Sequence, residues 1–183
     1  MKLLMHTCCA PCSVQCIQSL RDEGLEPTLF WYNPNIHPYT EYKNRLDALI
    51  SYAKTADITL IKKDEYGLEH FLTSVMPSYH ERCAFCYASR LEETAKFASQ
   101  NGYGAYTTTL LISPYQNHSL LCKMGKEFGQ KYGVMFCYKD FRPLFREGQR
   151  IAREQGLYMQ KYCGCIFSEM ERYLPDKRPK TSD

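Results

Sequence analysis

Cysteine placement constrains this 183-residue chain more than anything else in it. Seven of its ten cysteines stand in three tight groups: Cys8, Cys9 and Cys12, then Cys83 and Cys86, then Cys163 and Cys165. Met1 to Met5 supply only a short apolar run before His6, and nothing downstream approaches the roughly 18 uninterrupted apolar residues of a membrane span. Neither a signal peptide nor a transmembrane helix is expected, so the expected location is the cytoplasm, with no membrane partner. Thiols stay reduced there, and clustered cysteines in that compartment serve metals or catalysis rather than a disulfide framework. The fold is therefore expected to gather N-terminal, central and C-terminal cysteines at one redox site.

Spacing strengthens the metal reading. Cys9-Ala-Pro-Cys12 and Cys83-Ala-Phe-Cys86 have the two-residue gap that lets neighbouring thiolates reach one centre. Each is read as lying just before a helix, whose N-terminus favours the thiolate. Cys163-Gly-Cys165 is tighter, and Gly164 permits the turn that aims both sulfurs one way. Cys16, Cys122 and Cys137 fall inside periodic segments and read as small buried hydrophobes.

The rest of the chain alternates strand and helix patterns. Strands are expected at Lys2 to His6, Thr28 to Tyr32, Thr59 to Lys62, Ala105 to Leu111 and Val134 to Tyr138. Helices are expected from Val14 towards Gly24, from a Thr40 cap to Ala53, over Leu68 to Met76 and Leu91 to Gln100, over 119–132, and from Phe145 to Gln155. Such alternation predicts an α/β fold, a parallel sheet with flanking helices, and a ligand crevice at the carboxyl ends of the strands. At this length, 44% apolar and 23% charged, one domain over residues 1–174 is expected, followed by a polar tail at 175–183.

A structural zinc closed by four ligands leaves three of the seven sulfurs without a task. Four thiolates also suffice for a 4Fe-4S cluster, which gives the surplus a catalytic use as a second metal site, exchanging thiols or an open coordination position. The cluster therefore ranks above zinc. Net charge is only +3, but residues 121–183 carry 13 basic against 8 acidic residues while residues 1–120 carry 10 against 12. Arg142, Arg146, Arg150 and Arg153 fit either a solvated helix face or a phosphate-binding surface.

Several runs together resemble one family across nearly the whole chain: His6-Thr-Cys-Cys-Ala-Pro-Cys12, Asn33-Pro-Asn-Ile-His37, Arg82-Cys-Ala-Phe-Cys86, Arg90-Leu91, Thr107 to His118, Asp140-Phe-Arg142, and Lys161-Tyr-Cys-Gly-Cys165 with Ser168. The sequence resembles the QueH family of epoxyqueuosine reductases. The resemblance implies a nucleotide-hydrolase-like (PP-loop/HUP-like) fold, although the Ser-Gly-Gly PP-loop signature is absent. It implies cobalamin-independent reduction of the epoxide of epoxyqueuosine, at the wobble position of a tRNA anticodon loop, to the alkene of queuosine, with an external electron donor.

On this reading four of the seven cysteines hold a 4Fe-4S cluster, and an additional iron ion shares some sulfurs and a carboxylate, acting as a Lewis acid. Asp64 and Asp140 are the candidate carboxylates, Asp64 as a metal ligand and Asp140 at the catalytic centre. Tyr115 and His118 are candidate proton donors. Arg82, Arg90, Arg142 and Lys161 are candidate phosphate contacts, and Tyr32, Phe85 or Tyr162 candidate stacking faces for an unpaired base. Two alternatives stand beside it: a zinc-stabilised tRNA-binding module, and a cluster-dependent tRNA sulfur-transfer enzyme, which the missing PP-loop signature disfavours.

Overall fold

A computed structural model describes residues 1–174; the expected polar tail at 175–183 lies outside the described residues. Five parallel strands form one sheet: β1 (Leu3–His6), β2 (Pro27–Trp31), β3 (Leu60–Lys62), β4 (Ala105–Thr108) and β5 (Met135–Phe136), in the order β3-β2-β1-β4-β5. Every residue of β1 is buried, as a central parallel strand covered on both faces must be. Burying side chains such as Leu4, Met5, Leu29 and Phe30 completely contributes about 1.5–3 kcal/mol each.

Chain direction decides where the helices go. Helices α1 (Ala10–Arg21) and α2 (Tyr39–Thr55) connect strands that step one way from β1, whereas α4 (Arg82–Gln100), preceded by α3 (Leu68–Val75), and α5 (His118–Tyr132) serve the steps the other way. Right-handed crossovers therefore put α1 and α2 on one face and α4 and α5 on the other. Helix α6 (Phe145–Glu154) returns to pack on α1, and α4 packs on α5. The direction reverses between β1 and β4, so the loops after these two strands diverge and open a crevice at their carboxyl ends. Among the described residues no helix is long and apolar enough to cross a membrane.

Several boundaries differ from expectation for local reasons. Helix α4 starts at Arg82 rather than Leu91, which puts Cys83 and Cys86 inside its first turns instead of ahead of it. Strand β4 stops at Thr108, whose hydroxyl accepts from the Leu110 amide and starts a 3₁₀ turn over Thr109–Ile112. Strand β5 keeps only Met135 and Phe136 of the expected five residues. Pro38, not Thr40, occupies the cap position of α2, after a cis His37–Pro38 bond. The periodic pattern also gave no warning of α7 (Ile166–Tyr173), which follows the last cysteine. On the α5 side, Gly125 lets the helix sit directly on the Phe136 ring, where a Cβ would meet ring atoms at 2.5 Å.

A buried polar network joins β1, β2 and β4 under the crevice. Thr108 Oγ1, already accepting from Leu110, donates to His6 Nδ1 at 2.9 Å; His6 Nε2 donates to Asn33 Oδ1 at 3.1 Å, and Asn33 Nδ2 donates to the Thr7 carbonyl at 2.9 Å. His37 is tied similarly, Nε2 donating to the Pro34 carbonyl and Nδ1 accepting from the Ile166 amide that begins α7. Both imidazoles are thus neutral Nε2–H tautomers. Burial pushes each down to about 4, helped at His6 by the Arg90 charge. The native state therefore binds fewer protons than the unfolded chain between about 4 and the ordinary histidine value of 6.5, and stability is complete above that window and falls as the pH drops through it. The urea midpoint is expected to decline from pH 6.5 towards 4, with a shallower decline in His37→Gln; an unchanged slope in that variant counts against His37 as a contributor.

Candidate metal centre

Cys8, Cys9 and Cys12 sit where β1 passes into α1. Cys9 is the extended N-cap of that helix, and Pro11, needing no amide partner, occupies its first turn. The Cys8 amide donates to Thr109 Oγ1 at 3.3 Å, so the loop after β4 fixes the loop after β1. The three sulfurs lie within 4.8 Å of one another. Two thiolates on one tetrahedral ion, with bonds of about 2.3 Å, are roughly 3.8 Å apart, and the Cys8 and Cys9 Sγ atoms are 3.8 Å apart. This spacing fits a single ion. Hydrogen bonds with Cys12 and Cys9 hold the Cys8 thiol well below its ordinary range, while burial pushes Cys9 up and the bond to Cys8 holds Cys12 up. Gln160 Nε2 donates to Cys9 Sγ at 3.0 Å and to Cys12 Sγ at 3.6 Å, a contact that favours negative charge on both sulfurs.

The other four grouped cysteines form a second, wider set. Cys83, Cys86, Cys163 and Cys165 line one cavity of about 170 Å³. Among the described residues they do not draw into a group as tight as the first. Cys86 and Cys165 are buried beside Phe71 and Val75, whereas Cys83 and Cys163 are exposed. Burial pushes the Cys86 thiol up to about 12 against the opposing pull of Arg90, a protonated form that metal binding replaces. Gln116 Nε2 donates to Cys163 Sγ at 3.4 Å.

Two of these four sulfurs arrive on a segment with no strand to hold it. Arg45 of α2, buried with Glu41, fixes it instead: Nε donates to Glu41 Oε1 at 2.6 Å, Nη1 to the Cys163 carbonyl and Nη2 to the Tyr162 carbonyl, both at 2.9 Å. The His37 amide donates to the Gly164 carbonyl at 2.7 Å, and Tyr162 Oη donates to the His37 carbonyl at 2.7 Å. Ser168 accepts from the Gly164 amide and donates to the Cys165 carbonyl. Gly164 has φ +149°, and a Cβ there would meet Ile36 at 3.3 Å and Arg45 at 3.4 Å.

A larger cavity of about 360 Å³, with Cys8 and Cys12 on its wall, adjoins the smaller one, and Tyr115, Gln116 and Cys163 line both. The two cysteine sets therefore meet around one opening at the switch point of the sheet. The family model for epoxyqueuosine reductase QueH matches residues 3–171. The chain belongs to the QueH family. It is 34% identical over 178 residues to the epoxyqueuosine reductase QueH of Dehalococcoides mccartyi, covering 97% of this chain and 98% of that one. Identity to the epoxyqueuosine reductase QueH of Thermotoga maritima is 37% over 180 residues, covering 93% and 91%. Among solved structures, a predicted subunit of tRNA methyltransferase from Methanocaldococcus jannaschii superposes with a TM-score of 0.50 at 14% identity, covering 86% of this chain and 91% of that one; this likeness concerns the fold alone.

Of the other residues to which the QueH resemblance pointed, the structure brings only some to the opening. Tyr115, 83% exposed, and Lys161 line the large cavity, as do Tyr162 and the buried Arg90. Arg82 lines the small one and pairs with Glu171. Asp64, His118, Asp140 and Arg142 line neither. Asp64 accepts from Tyr42 beyond β3, His118 pairs with Tyr138, and Asp140 is held by both arms of Arg142, which keeps its carboxyl down near 2. Arg90 is expected to face phosphate, yet it is buried against Cys86. Tyr32 lies under Lys63 and Phe85 packs with Phe71, so neither offers a free stacking face at the opening. Sequence reasoning missed Arg45, Glu41, Gln160 and Thr109; of these only Thr109 stood in a motif run.

Gly164→Ala is expected to loosen Cys163 and Cys165 and leave the first set intact. Metal titration of the thiols should lose the four-cysteine site while the Cys8, Cys9 and Cys12 site still fills; equal loss at both sites would show that Gly164 serves the fold generally.

Proposed function

We propose that this chain is a cytoplasmic epoxyqueuosine reductase, converting the epoxide of epoxyqueuosine in a tRNA anticodon loop to the alkene of queuosine. The observation that carries the reading is the division of seven cysteines into a tight set of three and a wider set of four around adjoining cavities. Removing the epoxide oxygen as water consumes two electrons and two protons. In this reading Cys83, Cys86, Cys163 and Cys165 hold a 4Fe-4S cluster and Cys8, Cys9 and Cys12 hold a further iron. Together these groups supply single-electron delivery and a Lewis acid for the oxygen.

The chain's own residues do the rest. Gln160 and Gln116 donate N–H bonds to sulfurs of the two sets and stabilise their charge. Thr109 and Arg45 keep the two sets in register. Tyr115 and Lys161 bring an O–H and an ammonium to the wall of the larger cavity, and Lys161, with no ion pair among the described residues, meets a phosphate of the RNA. No carboxylate lines the larger cavity among the described residues, so the iron ligands proposed here are sulfurs. Electrons come from an external donor.

The test is iron and acid-labile sulfide analysis of protein purified without oxygen, with its visible spectrum before and after dithionite, alongside nucleoside mass spectrometry of epoxyqueuosine tRNA incubated with it. Iron with sulfide, a band that bleaches and loss of one oxygen from the nucleoside are the expected results. Cys83→Ser and Cys163→Ser should lose sulfide and activity together, Cys12→Ser should keep sulfide and lose activity, and Cys122→Ala and Cys137→Ala should keep both. Zinc without sulfide would favour the RNA-binding module instead.

A further inference from the structure

Arg90 is 3% exposed, and among the described residues no carboxylate pairs with it. The buried Arg45, by contrast, has Glu41. A guanidinium cannot be deprotonated to shed its charge, and an isolated buried charge is too expensive to keep without a counter-charge. Its contacts point to the thiolate that Cys86 would become on binding a metal. Nε donates to the Cys86 carbonyl at 2.9 Å and Nη2 donates to Cys86 Sγ at 3.0 Å, while the same side chain lines the cavity that holds Cys8 and Cys12. One turn of α4 separates Arg90 from Cys86, and Thr94 Oγ1 donates to the Arg90 carbonyl at 2.6 Å in the next turn, so the arrangement is built into the helix.

We propose that Arg90 is a positioning residue for electron transfer: its buried positive charge and its N–H bond to the Cys86 sulfur raise the reduction potential of the iron–sulfur group bound through Cys86. The role rests on the reading of Cys86 as a ligand of an iron–sulfur cluster. Adding one electron to an already anionic thiolate-bound group is opposed by desolvation. A fixed cation in the same low-dielectric pocket stabilises the reduced form more than the oxidised one. Hydrogen bonds to cluster sulfurs and net charge nearby are among the levers that set such potentials. The large cavity is lined by the same cation, so the electron is held beside the place where the substrate oxygen would sit.

Dithionite titration of the anaerobic holoprotein, one electron per cluster, tests this. Arg90→Gln keeps an N–H donor and removes the charge; its reduction equilibrium is expected to weaken at least tenfold, a shift of 59 mV to more negative potential for a one-electron couple. Arg90→Lys keeps the charge and is expected to recover most of that shift. Equal midpoints for Arg90→Gln and wild type, at equal iron and sulfide content, would overturn the role. Because a variant of a buried arginine can fail to fold, the wild type supplies an independent measurement. Protein labelled with ¹⁵N-arginine should show a nitrogen coupling to the reduced cluster by pulsed electron paramagnetic resonance, and absence of that coupling would overturn the contact. Wild-type protein holding zinc and no sulfide would instead remove the cluster reading, and this inference with it.

Discussion

The candidate centre depends on one buried guanidinium. The Arg45 side chain is 1% exposed, and its donors go to Glu41 and to two carbonyls of the segment that carries Cys163 and Cys165. Removing one member of such a buried pair leaves the other uncompensated, at about 3–5 kcal/mol. The planar fork suits this task in a way an ammonium does not, because it reaches a carboxylate and two carbonyls at fixed angles. Tyr158 also donates to Glu41, so the carboxylate that holds Arg45 is itself held by the C-terminal segment. The second half of the sulfur set is therefore anchored to α2, an element that contributes no cysteine.

The crevice has its own logic. β1 and β4 pair along their whole length, and only the loops that follow them part, because the strand order reverses there and the backbone runs out of ladder partners beyond His6 and Thr108. Thr108, His6 and Asn33 replace them with side-chain bonds, and Thr109 reaches across to the Cys8 amide. The loop after β1 can then carry three cysteines without wandering. There the N-terminus of α1 presents sulfur.

Much of this was legible in the sequence. The three cysteine groups, the strand–helix alternation and the buried β1 follow from spacing and apolar runs; the buried reading of Cys16 holds, whereas Cys122 and Cys137 are only partly buried. Arg45 and Glu41 stayed hidden because a charged i,i+4 pair on an amphipathic helix reads as a solvated face; only tertiary packing makes it interior. Helix α7 stayed hidden because eight residues after a cysteine turn have too little periodicity to stand out. Asp140 and His118 drew notice through the runs they occupy, yet each is engaged with a neighbour, Arg142 and Tyr138, away from the opening. Proximity in a motif is not proximity in space.

The order of the chain has a further consequence. The sheet is complete at Phe136 and its last covering helix at Glu154, before Cys163 and Cys165 appear. Synthesis proceeds from the N-terminus, so the α/β body can form while half of the wider sulfur set is still unmade. On the proposed reading, metal binding would then add folding free energy to a segment that already packs Leu157, Met159 and Phe167 against the body. On that reading the cofactor would be the last structural element to join. If the proposed iron–sulfur group is bound, a proteolytic cut beyond residue 156 would distinguish young chains from mature ones, and supply of iron and sulfide would govern how much protein survives quality control.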